Sequence, residues 1–177
     1  KDEIIKQFSF VNANHYKKSR YYDLIKNSNS VSICVRQNRF SEKIRNINAL
    51  DKKKSDIFTQ EQIKYIQKST LFIEKKIDNP KFFLWSNDYS DLEKYFPQNK
   101  YTFVKNSNNQ IIGKRSSLDL FLMTQCKNFI VSPSSYNWWG AYLSDNINKI
   151  IIRPDENNFS NYKINNIDFW PNSWIPQ

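Results

Sequence analysis

Apolar positions along this 177-residue chain fall into short blocks separated by polar, amphipathic stretches. Val31-Ser32-Ile33-Cys34-Val35 is β-branched and apolar through most of its length, the pattern of a buried strand. A Lys-rich stretch follows to about Asp56 and reads as the longest loop. Thr59-Gln60-Glu61-Gln62 then fits a capping box with Thr59 as N-cap, and Ile63, Ile66, Ile73 and Ile77 recur at helical spacing. The pattern therefore predicts a helix over 60–76, stopped by Asn79-Pro80. Phe82 to Trp85, Tyr101 to Val104, Phe129 to Val131 and Lys149 to Ile152 read as four further strands. Between them, Asp91 to Phe96 reads as a short helix ended by Pro97, and Asn106-Ser107-Asn108-Asn109 as a turn. Ser116-Ser117-Leu118-Asp119 opens another helix, with Leu120, Met123 and Cys126 on its inner side, and a last helix runs from near Ser135 to about Leu143.

Strand and helix in alternation, with short links, predict an α/β domain: a Rossmann-like parallel sheet with helices on both faces. Ligands of such sheets sit beyond the carboxyl ends of the strands. That rule singles out the residues after Val35, after Trp85, around Asn106 and after Val131.

Composition narrows the chemistry. Two glycines, Gly113 and Gly140, are too few for a G-x-G-x-x-G turn or a P-loop. One histidine, His15, and two cysteines 92 positions apart, Cys34 and Cys126, exclude the usual zinc constellations and a disulfide framework, which favours a reducing compartment. No apolar run approaches the roughly 20 residues of a membrane span, and the amino terminus lacks a signal-peptide core. Without an initiator Met, the chain is expected to begin partway through a longer protein. Its 27 Lys+Arg against 17 Asp+Glu give a net charge of +10. Residues 1–80 carry +8 of it and residues 81–177 only +2. Such a balance suits an anionic partner, whether nucleic acid, anionic lipid or a phosphate-bearing ligand, and equally the solvated outer faces of Lys-rich helices.

Three constellations carry candidate chemistry. Arg36 ends the first strong strand, where a guanidinium can fork onto a phosphate; a plain surface Arg is the alternative. Ser132-Pro133-Ser134-Ser135 leads from a strand into a helix that contains Trp138-Trp139-Gly140. Free N–H groups and serine hydroxyls there make an anion site without a glycine loop, or else an ordinary N-cap ahead of two core tryptophans. Asp119, three residues after Ser116, either caps that helix or presents a carboxylate at the mouth of the sheet, able to accept paired N–H bonds from a base such as guanine.

The block from Asp119 through Ser134-Ser135-Tyr136-Asn137-Trp138-Trp139-Gly140-Ala141 to Leu143 resembles the signature of family 11 glycosyltransferases, the α-1,2-fucosyltransferases. Phe82 to Asp88 and Lys149 to Pro154 are similar to segments of that family, and Val31 to Arg36 aligns with the start of its H-x-R-R-G-D-Y region. The resemblance covers roughly residues 1–160. It implies a GT-B-like enzyme that transfers fucose from GDP-fucose to the 2-hydroxyl of a galactoside with inversion, without a metal or other cofactor. By position, Arg36 is then the catalytic residue, holding the donor's β-phosphate and stabilising the GDP leaving group. Ser134 and Ser135 add phosphate contacts, Asp119 reads the guanine edge, and Cys34 joins the donor-binding set.

The chain departs from the family at several positions. Cys34 stands where His is usual, and Gln37, Asn38 and Arg39 where Arg, Gly and Asp are usual. Phe40 replaces Tyr, and Asn137 replaces a Ser. An arginine at 39 removes any base role there, and a donor other than GDP-fucose stays open. The implied organisation is a helical lead-in at 1–29 from an absent acceptor domain, a donor-nucleotide-binding domain at 30–160 and a C-terminal tail at 161–177. Expected partners are a nucleotide-sugar donor, a glycan or glycolipid acceptor of bacterial surface glycan synthesis, and an anionic membrane touched peripherally from the cytoplasm, with no nucleic acid. A nucleotide-sugar binding module without turnover is the first alternative. A basic nucleic-acid binder is the second, disfavoured because the tryptophans fall at apolar helical positions instead of among lysines.

Overall fold

The centre of the sheet is the apolar run picked out by its pattern. In the computed structural model, which describes residues 2–41, 49–107, 115–159, 162 and 168–177, this run is β1 (Asn29–Val35), buried at six of its seven positions. On one side β1 pairs in parallel with β2 (Pro80–Ser86), and β2 with β3 (Tyr101–Phe103). On the other it pairs with β4 (Asn128–Ile130), followed by β5 (Ile151–Arg153) and β6 (Ile175–Pro176). The order β3-β2-β1-β4-β5-β6, parallel at every pairing, is that of the Rossmann doubly wound sheet, which reverses direction between β1 and β4. The α/β, Rossmann-like reading holds.

Strand alternation divides β1 between two cores. Val31, Ile33 and Val35 face a layer formed by α4 (Ala49–Glu74) and a 3-10 turn at Leu92–Lys94. Cys34 faces the opposite layer, formed by α2 (Ala13–Tyr16), α3 (Tyr22–Lys26), α5 (Arg115–Thr124) and α6 (Ser135–Tyr142). A further short helix, α1 (Asp2–Gln7), precedes them. Tyr16, Tyr21 and Ile25, from the segment read as a lead-in, are buried in this second core. So are Trp170 and Trp174 near the end of the segment read as a tail, whose Ile175–Pro176 adds the outermost strand.

Several elements differ from their sequence reading. The polar stretch read as a loop to Asp56 is helical from Ala49, and α4 runs 26 residues, roughly 39 Å at 1.5 Å per residue. Its lysines point outward while Ser55 and Phe58 are buried, so one narrow inner stripe suffices to hold a helix that looks polar overall. Thr59 is therefore no N-cap: it lies in the helix interior, its hydroxyl donating to the Ser55 carbonyl at 3.0 Å. Ser116 is likewise inside α5, which already includes Arg115. The inner side of α5 is Leu118, Phe121, Leu122 and Met123, with Leu120 only half-buried and Cys126 buried beyond the helix end. The short helix read at Asp91 to Phe96 is a 3-10 turn at Leu92–Lys94, entered through Asp91 in the left-handed region (φ 60°). In the predicted turn at 106–109, Asn108 and Asn109 lie outside the described residues.

Helices α5 and α6 lie very close together. A Cβ built on Gly140 would stand 2.9 Å from the Met123 Cβ, so only glycine fits this crossing. Among the described residues no helix is long and apolar enough to cross a membrane.

Candidate functional site

Beyond the carboxyl ends of β1, β2 and β4, at the point where the sheet reverses, lies a cleft of ≈ 870 Å³. Cys34, Arg36, Asp119, Ser134 and Ser135, picked out from sequence in three separate segments, all line it.

One wall is the loop leaving β1, which is held by side-chain amides. Gln62, fully buried on α4, accepts from the Arg36 backbone N–H at 3.0 Å and donates to the Arg36 carbonyl at 2.8 Å. Asn87 grips Gln37 in the same two-bond way, at 2.9 and 3.0 Å. The Gln37 side chain donates to the carbonyls of Asp88 and Ser90 at 2.7 and 3.0 Å. Asn38 turns the chain with φ 54° and reaches the Asp88 carboxylate at 3.3 Å. Two consecutive residues are thus clamped by primary amides, which fixes where the Arg36 side chain starts.

The opposite wall is the link from β4 to α6. The Ser132 hydroxyl, fully buried, donates to the Cys34 carbonyl at 2.7 Å and ties the two walls at their base. Ser134 is the N-cap of α6 in extended conformation (φ −148°, ψ 124°), and its side chain closes no cap bond. The N-terminus of α6 therefore opens onto the cleft with serine hydroxyls beside it. Of the two tryptophans, neither is fully buried; Trp138 stacks on Tyr142 (4.6 Å between centroids) and donates its indole N–H to the Phe169 carbonyl at 2.7 Å.

Among the described residues, the partners of Asp119 are side chains and none is the α5 backbone. One carboxylate oxygen accepts from the Asn106 amide at 2.7 Å, and the other from Arg115 Nε at 3.2 Å. Arg115 also donates to the Ser86 carbonyl at 2.6 Å, which secures it to the end of β2. Burial raises the Asp119 pKa above the usual carboxylate range, opposed in turn by Asn106 and Arg115; the Trp85 indole points to the same carboxylate without closing a well-formed hydrogen bond. Burial likewise pushes the Cys34 thiol up to about 12, only partly countered by Arg36, so it is a neutral, packed group and no nucleophile.

Two cationic residues escaped the sequence reading. Arg115 is set one turn before Asp119, a spacing of four that is visible in the sequence. Arg39, read only as the loss of an acid, lines the cleft and donates to the Pro133 carbonyl at 2.5 Å, across to the α6 wall. Tyr162 and Phe169, distant in sequence, add apolar lining. Asp119 is the one carboxylate among the described lining residues, against Arg36, Arg39 and Arg115. Among the described lining residues, Arg36 and Arg39 stand at the β1/α6 end, and Arg115 pairs with Asp119 at the α5 end. Among the described residues no group of three or more His, Cys, Asp or Glu side chains is placed to hold a metal ion.

The profile of glycosyl transferase family 11 matches residues 5–175. An α-1,2-colitosyltransferase from Escherichia coli is 28% identical over 175 residues, which is 99% of this chain and 56% of that protein. The O-antigen biosynthesis glycosyltransferase WbnK, also from Escherichia coli, is 35% identical over 91 residues, 51% of this chain and 29% of that protein. The chain therefore spans little more than half the length of the first relative, and the match to the second covers less. No solved structure matches it significantly.

Proposed function

The chain belongs to glycosyl transferase family 11, and on that footing we propose that its cleft is the donor site of a GT-B-like, metal-independent, inverting glycosyltransferase using a GDP-sugar. The observation that carries the reading is convergence: the residues after β1, in α5 and after β4 meet in one cleft at the sheet's reversal, with cationic groups at one end. In this reading Arg36 forks onto the β-phosphate and neutralises the charge that gathers on GDP as the sugar bond breaks. Ser134, Ser135 and the open start of α6 take further phosphate oxygens. Asp119, held by Asn106 and Arg115, keeps lone pairs for the paired N–H groups of guanine. Cys34 packs beneath the donor as a neutral wall.

The sugar is fucose or a close analogue; the name of one relative points to colitose as the alternative. The acceptor is a galactoside 2-hydroxyl in a surface glycan. Its base must lie within hydrogen-bond reach of that hydroxyl, and a carboxylate outside the described lining set has to supply it. The Lys-rich outer side of α4 is the region to meet an anionic membrane carrying lipid-linked acceptor, and liposome sedimentation with and without anionic lipid tests that contact.

The test of function is incubation of the full-length protein with GDP-fucose and a panel of β-galactosides, following GDP release and product linkage. Transfer to a 2-hydroxyl is expected. Tight GDP binding without transfer to any acceptor would instead leave a nucleotide-sugar binding module.

A further inference from the structure

Arg39 stands where the two walls of the cleft meet. Its guanidinium crosses from the β1 loop to bond the Pro133 carbonyl, one residue before the N-cap of α6. The residue as a whole is exposed at the cleft mouth, while its guanidinium end is partly covered. Beneath it lies the buried Phe58 ring, 4.9 Å from the guanidinium carbon, with Phe40 at 5.9 Å. Those rings position a cation without neutralising it. Among the described residues no carboxylate pairs with Arg39, and the Pro133 bond uses one of its five N–H groups. Lys54 adds a further cation on the same aromatic cluster, 4.5 Å from the Phe40 centroid. A like-charged group on the same cleft, Arg36, depresses the Arg39 pKa further after partial burial has lowered it.

We infer that Arg39 is a second diphosphate-binding residue, reaching across the cleft mouth so that Arg36 and Arg39 grip two different phosphates of one nucleoside diphosphate. Two guanidinium groups lining one cleft suit two adjacent phosphoryl groups better than one, because each can pair with its own set of oxygens. This inference rests on the nucleoside-diphosphate reading of the cleft. It goes beyond it by assigning a phosphate contact to the position where sequence comparison finds only a missing acid.

The test is the ratio of affinities for GDP and GMP, measured calorimetrically on the intact chain, for wild type, Arg39→Met and Arg39→Lys. Methionine keeps an apolar stem over Phe58, and lysine keeps the charge without the fork. Wild type should prefer GDP, and Arg39→Met should lose about 10–100-fold of GDP affinity while GMP affinity changes far less, so the ratio collapses. Arg39→Lys should fall between them. If Arg39 only latches the β1 loop to Pro133, GDP and GMP affinities fall together and the ratio is unchanged, which overturns the inference. Wild type that binds GDP with Arg39→Met unaffected overturns it as well, leaving the broader reading in place. A wild-type chain that binds neither nucleotide overturns both. Should Arg39→Met fail to fold, Arg39→Lys and its ratio decide.

Discussion

The two ends of the cleft solve opposite electrostatic problems. At the β1/α6 end, Arg36 and Arg39 project from loops whose backbones are clamped by Gln62 and Asn87, and the start of α6 opens beside them. Rigidity there comes from the backbone, and two guanidinium groups stand at that end of the lining. At the α5 end, Asp119, itself buried, meets Arg115 and Asn106. On the proposed reading, one end takes charge and the other a neutral hydrogen-bonding edge. A nucleoside diphosphate has that same division, with charge at one end and a planar base at the other.

If the division is real, losses at the two ends must differ in kind. Arg36→Met has the largest expected effect, about 100-fold or more in GDP affinity, because a fork of charged hydrogen bonds is lost. It should leave the preference for GDP over UDP intact, whereas Asp119→Ala should erase that preference at a smaller cost in affinity; calorimetry with both nucleotides checks the pair. Gln62→Leu comes next, with about 10-fold weaker GDP binding. It strips partners from the Arg36 N–H and carbonyl, and chemical denaturation should show a loss of about 1–3 kcal/mol for each orphaned group. Gly140→Ala should destabilise by about 1–3 kcal/mol through overpacking against Met123 and affect both ends equally, since it parts α5 from α6.

The smallest effect is a pH dependence. The folded state holds the Asp119 pKa above its unfolded value through burial. The native state therefore binds this proton more tightly, and the residue's contribution to stability declines as pH rises from the unfolded pKa through the folded one. Thermal melts of wild type and Asp119→Asn across that window should show the variant gaining on wild type as pH increases. A constant difference would mean that Arg115 and Asn106 offset the burial entirely.

The same contrast accounts for what the sequence allowed to be read. Strands of this sheet are buried on both faces, so Val31 to Val35 and Phe82 to Trp85 stand out as apolar runs, and a parallel sheet follows from their alternation with helices; the strand order does not. The cleft followed as well, because position after a strand is enough to place Arg36, Ser134 and Ser135. Helix α4 was half missed because its first turns carry one narrow buried stripe, Ser55 and Phe58, under a coat of lysines. For Asp119 the sequence left a helix cap and a cleft carboxylate as alternatives, since the approach of Asn106 is a tertiary event. Arg39 was legible only as a departure. Its bond to Pro133 joins residues 94 apart in sequence, and no local pattern reports that.

The most direct test of the central claim, that the cleft at the sheet's reversal is the nucleoside-diphosphate site, is hydrogen–deuterium exchange on the intact chain with and without saturating GDP. Protection is predicted for peptides covering residues 35–40, 116–120 and 133–138, with the α2 and α3 segment at 13–26 unchanged. Protection confined elsewhere, or none under conditions where GDP is bound, would contradict it.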